Sequence, residues 1–264
     1  MHLQPCRLCR TIAPLEESHI IPEFFWRIAE ERVPKGRSAL LQPCLSVMFT
    51  DPRKGDIDLK QRGRWDKSVS QEKLLCGACE DRLSSFETHA RLQLFGNKDP
   101  RTVRKGAFRA EIKTNYAKFR RFELSLLWRA SVASAPFYEN CKLRQEVGEA
   151  LRQALLSDTP PPPDLVGCSL LDLRYEDADF TKAIDNPRRL VEPSREIVLL
   201  TMGGYYWMFW IRPETPPVGV ANTFLQPDGT RPVVQIDGSP LLQFWANAKK
   251  KWRPRRDSNP QPPA

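Results

Sequence analysis

Apolar residues recur at helical spacing in several stretches of the chain and in short strand-like runs in others. Phe24, Phe25, Ile28 and Ala29 share one face of a helix predicted over Glu23–Arg32, with Pro22 suited to its first turn. Leu83, Phe86, Ala90 and Leu94 align on a second helix, which starts at Cys79 and ends near Phe95, where Gly96-Asn97 is a capping signal. Phe119–Ser134 is strongly apolar, with Phe122, Leu126, Leu127 and Trp128. Leu143–Leu156 is amphipathic and ends before Pro160–Pro163. Leu241–Ala248 reads as a last helix.

Strands are expected over Leu165–Arg174, Glu196–Met202, Tyr205–Ile211 and Val233–Asp237. The second and third are joined by Gly203-Gly204, a strong hairpin signal. Residues 34–70 are rich in Pro, Gly and charge and read as an irregular insertion, with one strand over Leu45–Phe49. The expected fold class is α+β. An N-terminal unit over residues 1–105 is followed by an accessory domain over 106–248 with two helices and an antiparallel sheet, then a basic, Pro-rich disordered tail over 249–264. The aromatic run Met202–Trp210 could stack on bases, but it is nearly uncharged, and a buried hairpin is the favoured reading.

Composition narrows the function classes. The 264 residues are 41% hydrophobic and 28% charged, which excludes a disordered polyelectrolyte. The longest apolar run, Ile197–Ile211, is too short and too broken by glycine to span a bilayer, and the N-terminus lacks a secretory h-region. No membrane partner and a cytoplasmic location are therefore expected. The net charge of +9 is unevenly placed, at +8 over residues 1–120, −4 over 121–248 and +5 over the tail. A basic half joined to a mildly acidic one suggests that the first half meets a polyanion. Arg62 and Arg64, beside Trp65, and Arg101, Arg104, Lys105 and Arg109, within the basic stretch Arg91–Arg120, are the candidate phosphate contacts. The tail includes Asp257-Ser258-Asn259-Pro260, the product expected if the reading frame runs through a tRNA gene.

Seven cysteines cannot form a complete disulfide set, and four of them form two CxxC pairs, Cys6/Cys9 and Cys76/Cys79. Two such turns supply the four soft ligands that a structural Zn2+ takes in a tetrahedron. Cys44, Cys141 and Cys168 are isolated and read as core or loop thiols. His19 follows Cys9 on the same predicted hairpin, which would carry it towards the helix that bears Cys79, Glu80 and, seven residues on, Glu87. An imidazole facing a carboxylate suits metal-assisted phosphodiester hydrolysis, with the imidazole as general base and a divalent cation stabilising the phosphorane and leaving oxygen.

Cys6-x-x-Cys9, Ser18-His19-Ile20-Ile21-Pro22 and Leu74-Leu75-Cys76-x-x-Cys79 together resemble the zinc-stabilised branch of the HNH endonucleases, over about residues 5–96. The resemblance implies a treble-clef (ββα-metal) fold, structural Zn2+ on the four cysteines, a catalytic Mg2+ or Mn2+, DNA as substrate with RNA not excluded, and His19 as general base. Three positions depart from the family pattern. Ser18 stands where an acidic or polar metal ligand is usual, Gln71 where asparagine precedes the second CxxC, and Glu80 where asparagine or histidine follows it. Glu80 is the second candidate catalytic residue. The alternative is a noncatalytic zinc module for nucleic acid or a partner protein, and the C-terminal domain is a candidate surface for a protein partner.

Overall fold

A computed structural model describes residues 3–29, 71–99, 108–162, 164–176, 178–193, 195–211 and 218–243. The predicted strand Leu45–Phe49, the tail and most of the Leu241–Ala248 helix lie outside them, although residues 239–243 are helical. The fold is mixed α+β with a four-cysteine cluster near the N-terminus. Among the described residues, no helix is long and apolar enough to cross a membrane.

Two small antiparallel ladders open the chain. Strands β1 (Gln4–Pro5) and β2 (Ile12–Ala13) pair across the Cys6–Cys9 turn, and β3 (Leu15–His19) pairs with β4 (Gln71–Cys76), placing His19 opposite Gln71. Helix α1 (Glu23–Ala29) follows β3 directly and buries Phe24, Phe25, Trp26 and Ile28. Helix α2 (Gly77–Phe95) continues from β4 and buries Cys79, Leu83, Phe86, Ala90 and Leu94, the face expected from the apolar spacing. Gly96 at φ +70° closes it, a conformation that side-chain-bearing residues rarely adopt.

The C-terminal segment is built on a six-stranded sheet. Its order is β5 (Glu111–Lys113), β10 (Thr230–Asp237), β6 (Gly167–Arg174), β9 (Tyr205–Trp210), β8 (Arg195–Met202), β7 (Asp185–Glu192). The β8–β9 hairpin turns at Gly203-Gly204, with φ of +64° and +85°, as its double-glycine signal requires. The sheet is not purely antiparallel, because β10 runs parallel to β6. The long connection after β9 carries the chain across β6, so β10 enters from the same end, as parallel pairing demands. Strand β7 is an edge strand that the sequence pattern did not reveal, since Asn186, Pro187, Arg188 and Arg189 interrupt any apolar run.

Helix α3 (Tyr116–Val132) is buried at every position from Phe119 to Ser131, and α4 (Gln145–Leu156) packs beside it. One apolar core runs from the cysteine cluster to the sheet. Phe25 meets Trp207 edge-on at 6.2 Å between ring centroids, and Phe122 meets it at 5.6 Å. Four charged residues of α3 are inside this core. Glu123, wholly buried, lies between Arg120 at 3.4 Å and Arg231 at 3.0 Å, the second contact being an ion pair without hydrogen-bond alignment. Burying three charges is tolerable because the carboxylate is shared between two guanidinium groups that also donate to the Val166 and Thr223 carbonyls.

Candidate metal centre and the His19 site

The first CxxC turn is closed by its own backbone. The Cys6 N–H donates to Thr11 O at 2.9 Å, the Arg10 N–H to Cys6 O at 2.8 Å, and Arg10 takes φ +67°. The second pair straddles the β4–α2 junction, with Cys79 on the first turn of the helix. The Cys76 N–H donates to Cys6 Sγ at 3.3 Å, so the backbone of one pair already supports a sulfur of the other. All four Sγ atoms lie within 4.8 Å of one another, and Cys9 Sγ is 3.7 Å from Cys76 Sγ. A tetrahedral ZnS4 centre with Zn–S bonds of about 2.3 Å has sulfur–sulfur edges of about 3.8 Å, so these residues fit the ion.

Electrostatics point the same way. Burial pushes the Cys76 and Cys79 thiols up. Burial acts likewise on Cys9, but hydrogen bonds from Thr11, Cys6 and Cys79 outweigh it and bring that thiol down to about 6. Negative charge gathers on one sulfur and discourages ionisation of its neighbours, a strain that a divalent cation relieves. Cys141 and Cys168 are buried thiols elsewhere in the core, and both are pushed up by burial.

His19 is at the end of β3, half-buried, with Nε2 2.9 Å from the Gln71 amide nitrogen. Where that amide donates, Nε2 accepts and the neutral ring carries its proton on Nδ1. Burial lowers the imidazole below its ordinary value. Glu23 and Glu87 oppose the shift, while Arg129 and Arg27 add to it. Ser18, wholly buried beside it, donates to Glu80 Oε2 at 2.9 Å. Burial pushes the Glu80 carboxyl up, against the pull of Arg129 and the Ser18 hydrogen bond. Glu80 and Glu87 share one face of α2, seven residues being close to two helical turns.

Arg129 of α3 reaches this face. Its Nη1 donates to the His19 carbonyl at 2.7 Å, and its Nη2 pairs with the Glu87 carboxylate. Sequence reasoning passed over it, although a signal existed: an arginine on a strongly apolar helix must find a buried partner.

The other sequence-predicted residues are placed differently. Arg62, Arg64, Arg101, Arg104 and Lys105 lie outside the described residues. Arg109 donates to the carbonyls of Gln93 and Leu94, both at 3.0 Å, and so caps the C-terminus of α2. Arg120, also in the basic stretch, is buried beside Glu123. His89 bonds the Thr114 hydroxyl at 2.8 Å, away from His19. A shallow cavity of about 260 Å3 between Arg82, Ser85, Phe86, Arg121 and Asp158 opens on the far side of α2 from Glu80. Its arginines serve structure, since Arg82 and Arg121 donate to carbonyls at the end of α4 and in the turn beyond it.

The chain matches no family model, no curated protein and no solved structure.

Proposed function

We propose that this protein is a metal-dependent endonuclease of the HNH type, in which a zinc-stabilised treble clef holds His19 as the general base. The observation that carries the reading is the β3–β4–α2 frame. The four-cysteine cluster ties its ends together, and His19, buttressed by Gln71, is joined to α2 through Arg129, which holds both the His19 carbonyl and the Glu87 carboxylate. To take a proton from water the imidazole needs a free lone pair, which it has when Gln71 turns its amide to accept from Nε2–H and leaves Nδ1 open, or when Gln71 releases Nε2. Glu80 is the residue that would hold a Mg2+ or Mn2+, which needs only one or two carboxylates when substrate phosphates complete its shell. When bound, that cation supplies charge stabilisation to the phosphorane and the leaving oxygen. Basic residues of the first half would meet the phosphate backbone of DNA, and the same contacts would serve RNA.

A second reading, a noncatalytic zinc module that binds nucleic acid or a protein, is favoured by a specific observation. Glu80 is already bonded to Ser18 and Glu87 to Arg129. Among the described residues, the four cysteines are the only group of three or more metal-ligating side chains brought together. Incubation with supercoiled plasmid and with single-stranded RNA, each with Mg2+ or Mn2+ and with chelator, separates the two. The nuclease reading expects divalent-dependent nicking that Glu80→Gln reduces. Retention of nucleic acid without cleavage under any metal would establish the module instead.

A further inference from the structure

The residues around His19 do not all come from the segment that resembles the nuclease family. Arg129 is on α3, well beyond residue 96, yet its side chain is only 1% exposed and its two terminal nitrogens engage different elements of the site. One holds the carbonyl of His19, the last residue of β3, and the other holds the carboxylate of Glu87 in the middle of α2. A guanidinium suits this task because its donors form a rigid planar fork, whereas a lysine offers a single point charge on a flexible stem. Burial fixes the arrangement, since moving Glu87 would leave the Arg129 charge buried without its counter-ion and moving the His19 carbonyl would leave a buried N–H without an acceptor.

We propose that Arg129 is a positioning residue of the hydrolytic site, locking the main chain of His19 and the carboxylate of Glu87 into one unit. The inference rests on the nuclease reading, and it means that the site is completed by a helix outside residues 5–96. Fixing the His19 carbonyl sets the direction in which the ring leaves the backbone, and so its approach to Gln71. The charged groups that act on the ring are Glu23 and Arg27 from α1, Glu87 from α2 and Arg129 from α3. Glu23 and Arg27 pair with each other at 2.7 Å, as Arg129 does with Glu87, so the ring feels two compensated ion pairs. Removing one member of the inner pair unbalances that field with a defined sign.

The test uses the full-length, zinc-loaded protein with isotope-labelled histidine. The His19 ring is titrated by NMR in wild type, Arg129→Gln and Glu87→Gln, with His19→Ala assigning the signal among the three histidines. Arg129→Gln should raise the His19 titration midpoint by about half a unit or more and Glu87→Gln should lower it, because each leaves the opposite charge uncompensated. In plasmid cleavage, Arg129→Gln should lower kcat by about tenfold or more with KM changed less than about twofold, the mark of lost orientation rather than lost binding. Midpoints that stay still in both variants, or move in the same direction, overturn the inference. If Arg129→Gln fails to fold, Arg129→Lys decides: it keeps the charge but not the two-armed fork, so a kcat lowered by about tenfold with KM changed less than about twofold supports the inference, and an unchanged kcat overturns it. A wild type that cleaves, with kcat and His19 indifferent to Arg129, rejects the positioning role and leaves the nuclease standing. A wild type that never cleaves, but whose His19 moves in opposite directions, rejects the nuclease and leaves Arg129 as the positioning residue of a nonhydrolytic centre.

Discussion

Zinc should hold the N-terminal unit in its folded form, and the size of the effect follows from linkage. The strands that frame the first knuckle, β1 and β2, are two residues each and cannot stabilise the turn alone. Leu8, in the turn itself, is wholly buried, and its carbonyl accepts from Arg152. Metal bound to the native state and not to the unfolded chain stabilises by RT ln(1 + [Zn]/Kd), which is about 2.7 kcal/mol with free zinc at 100 times Kd. For a chain of this size each kcal/mol moves Tm by about 2–4 °C, so buffered zinc should raise Tm by about 5–11 °C over the metal-free protein. The assay is scanning calorimetry across a series of zinc buffers, with Cys76→Ser as control and metal analysis expected to give about one zinc per chain. A Tm that ignores zinc in the native protein, or rises equally in Cys76→Ser, would refute the claim that these four sulfurs form a structural metal site.

Three further outcomes are expected. Glu123→Gln leaves Arg120 and Arg231 buried without their counter-charge and should cost about 3–5 kcal/mol in urea unfolding, whereas Glu23→Gln at the exposed Arg27 pair should cost less than about 1 kcal/mol. Gly203→Ala would force a side chain into φ +64° and place its Cβ 2.5 Å from Phe25 Cε1. A loss of more than about 1 kcal/mol is expected on chemical denaturation. On the nuclease reading His19 would set the acid limb of the cleavage profile, and burial lowers its folded pKa. The base form therefore persists below the ordinary histidine value, and the midpoint of the acid limb of kcat/KM should lie below about pH 6.5. The same shift means that the unfolded chain takes up a proton first, so the His19 contribution to stability is complete above about pH 6.5 and declines as the solution is acidified.

Much of the four-cysteine cluster was legible in the sequence because its members are encoded locally in pairs. Each CxxC pair is a turn whose two sulfurs are neighbours whatever the rest of the chain does, and the cluster needed only the two turns to meet. Helices α2, α3 and α4 announced themselves by apolar spacing, and the β8–β9 hairpin by its two glycines. Long-range choices were not legible. The parallel pairing of Val233 with Leu170 depends on where a long connection delivers β10, which no local pattern records. The basic stretch Arg91–Arg120 suggests phosphate contacts, yet Arg120 is buried beside Glu123 and Arg109 caps a helix end, because a guanidinium can satisfy buried carboxylates and carbonyls as readily as phosphates. Arg129 escaped notice for the same reason, since its partners, the His19 carbonyl and Glu87, meet it only in three dimensions.

The nuclease reading turns on one comparison, the rate of plasmid nicking by zinc-loaded wild type and by His19→Ala in Mn2+ or Mg2+. A general base contributes typically about 100-fold or more. A loss of at least that size is expected in the variant, with its zinc content and Tm unchanged. Equal rates in the two proteins would contradict it.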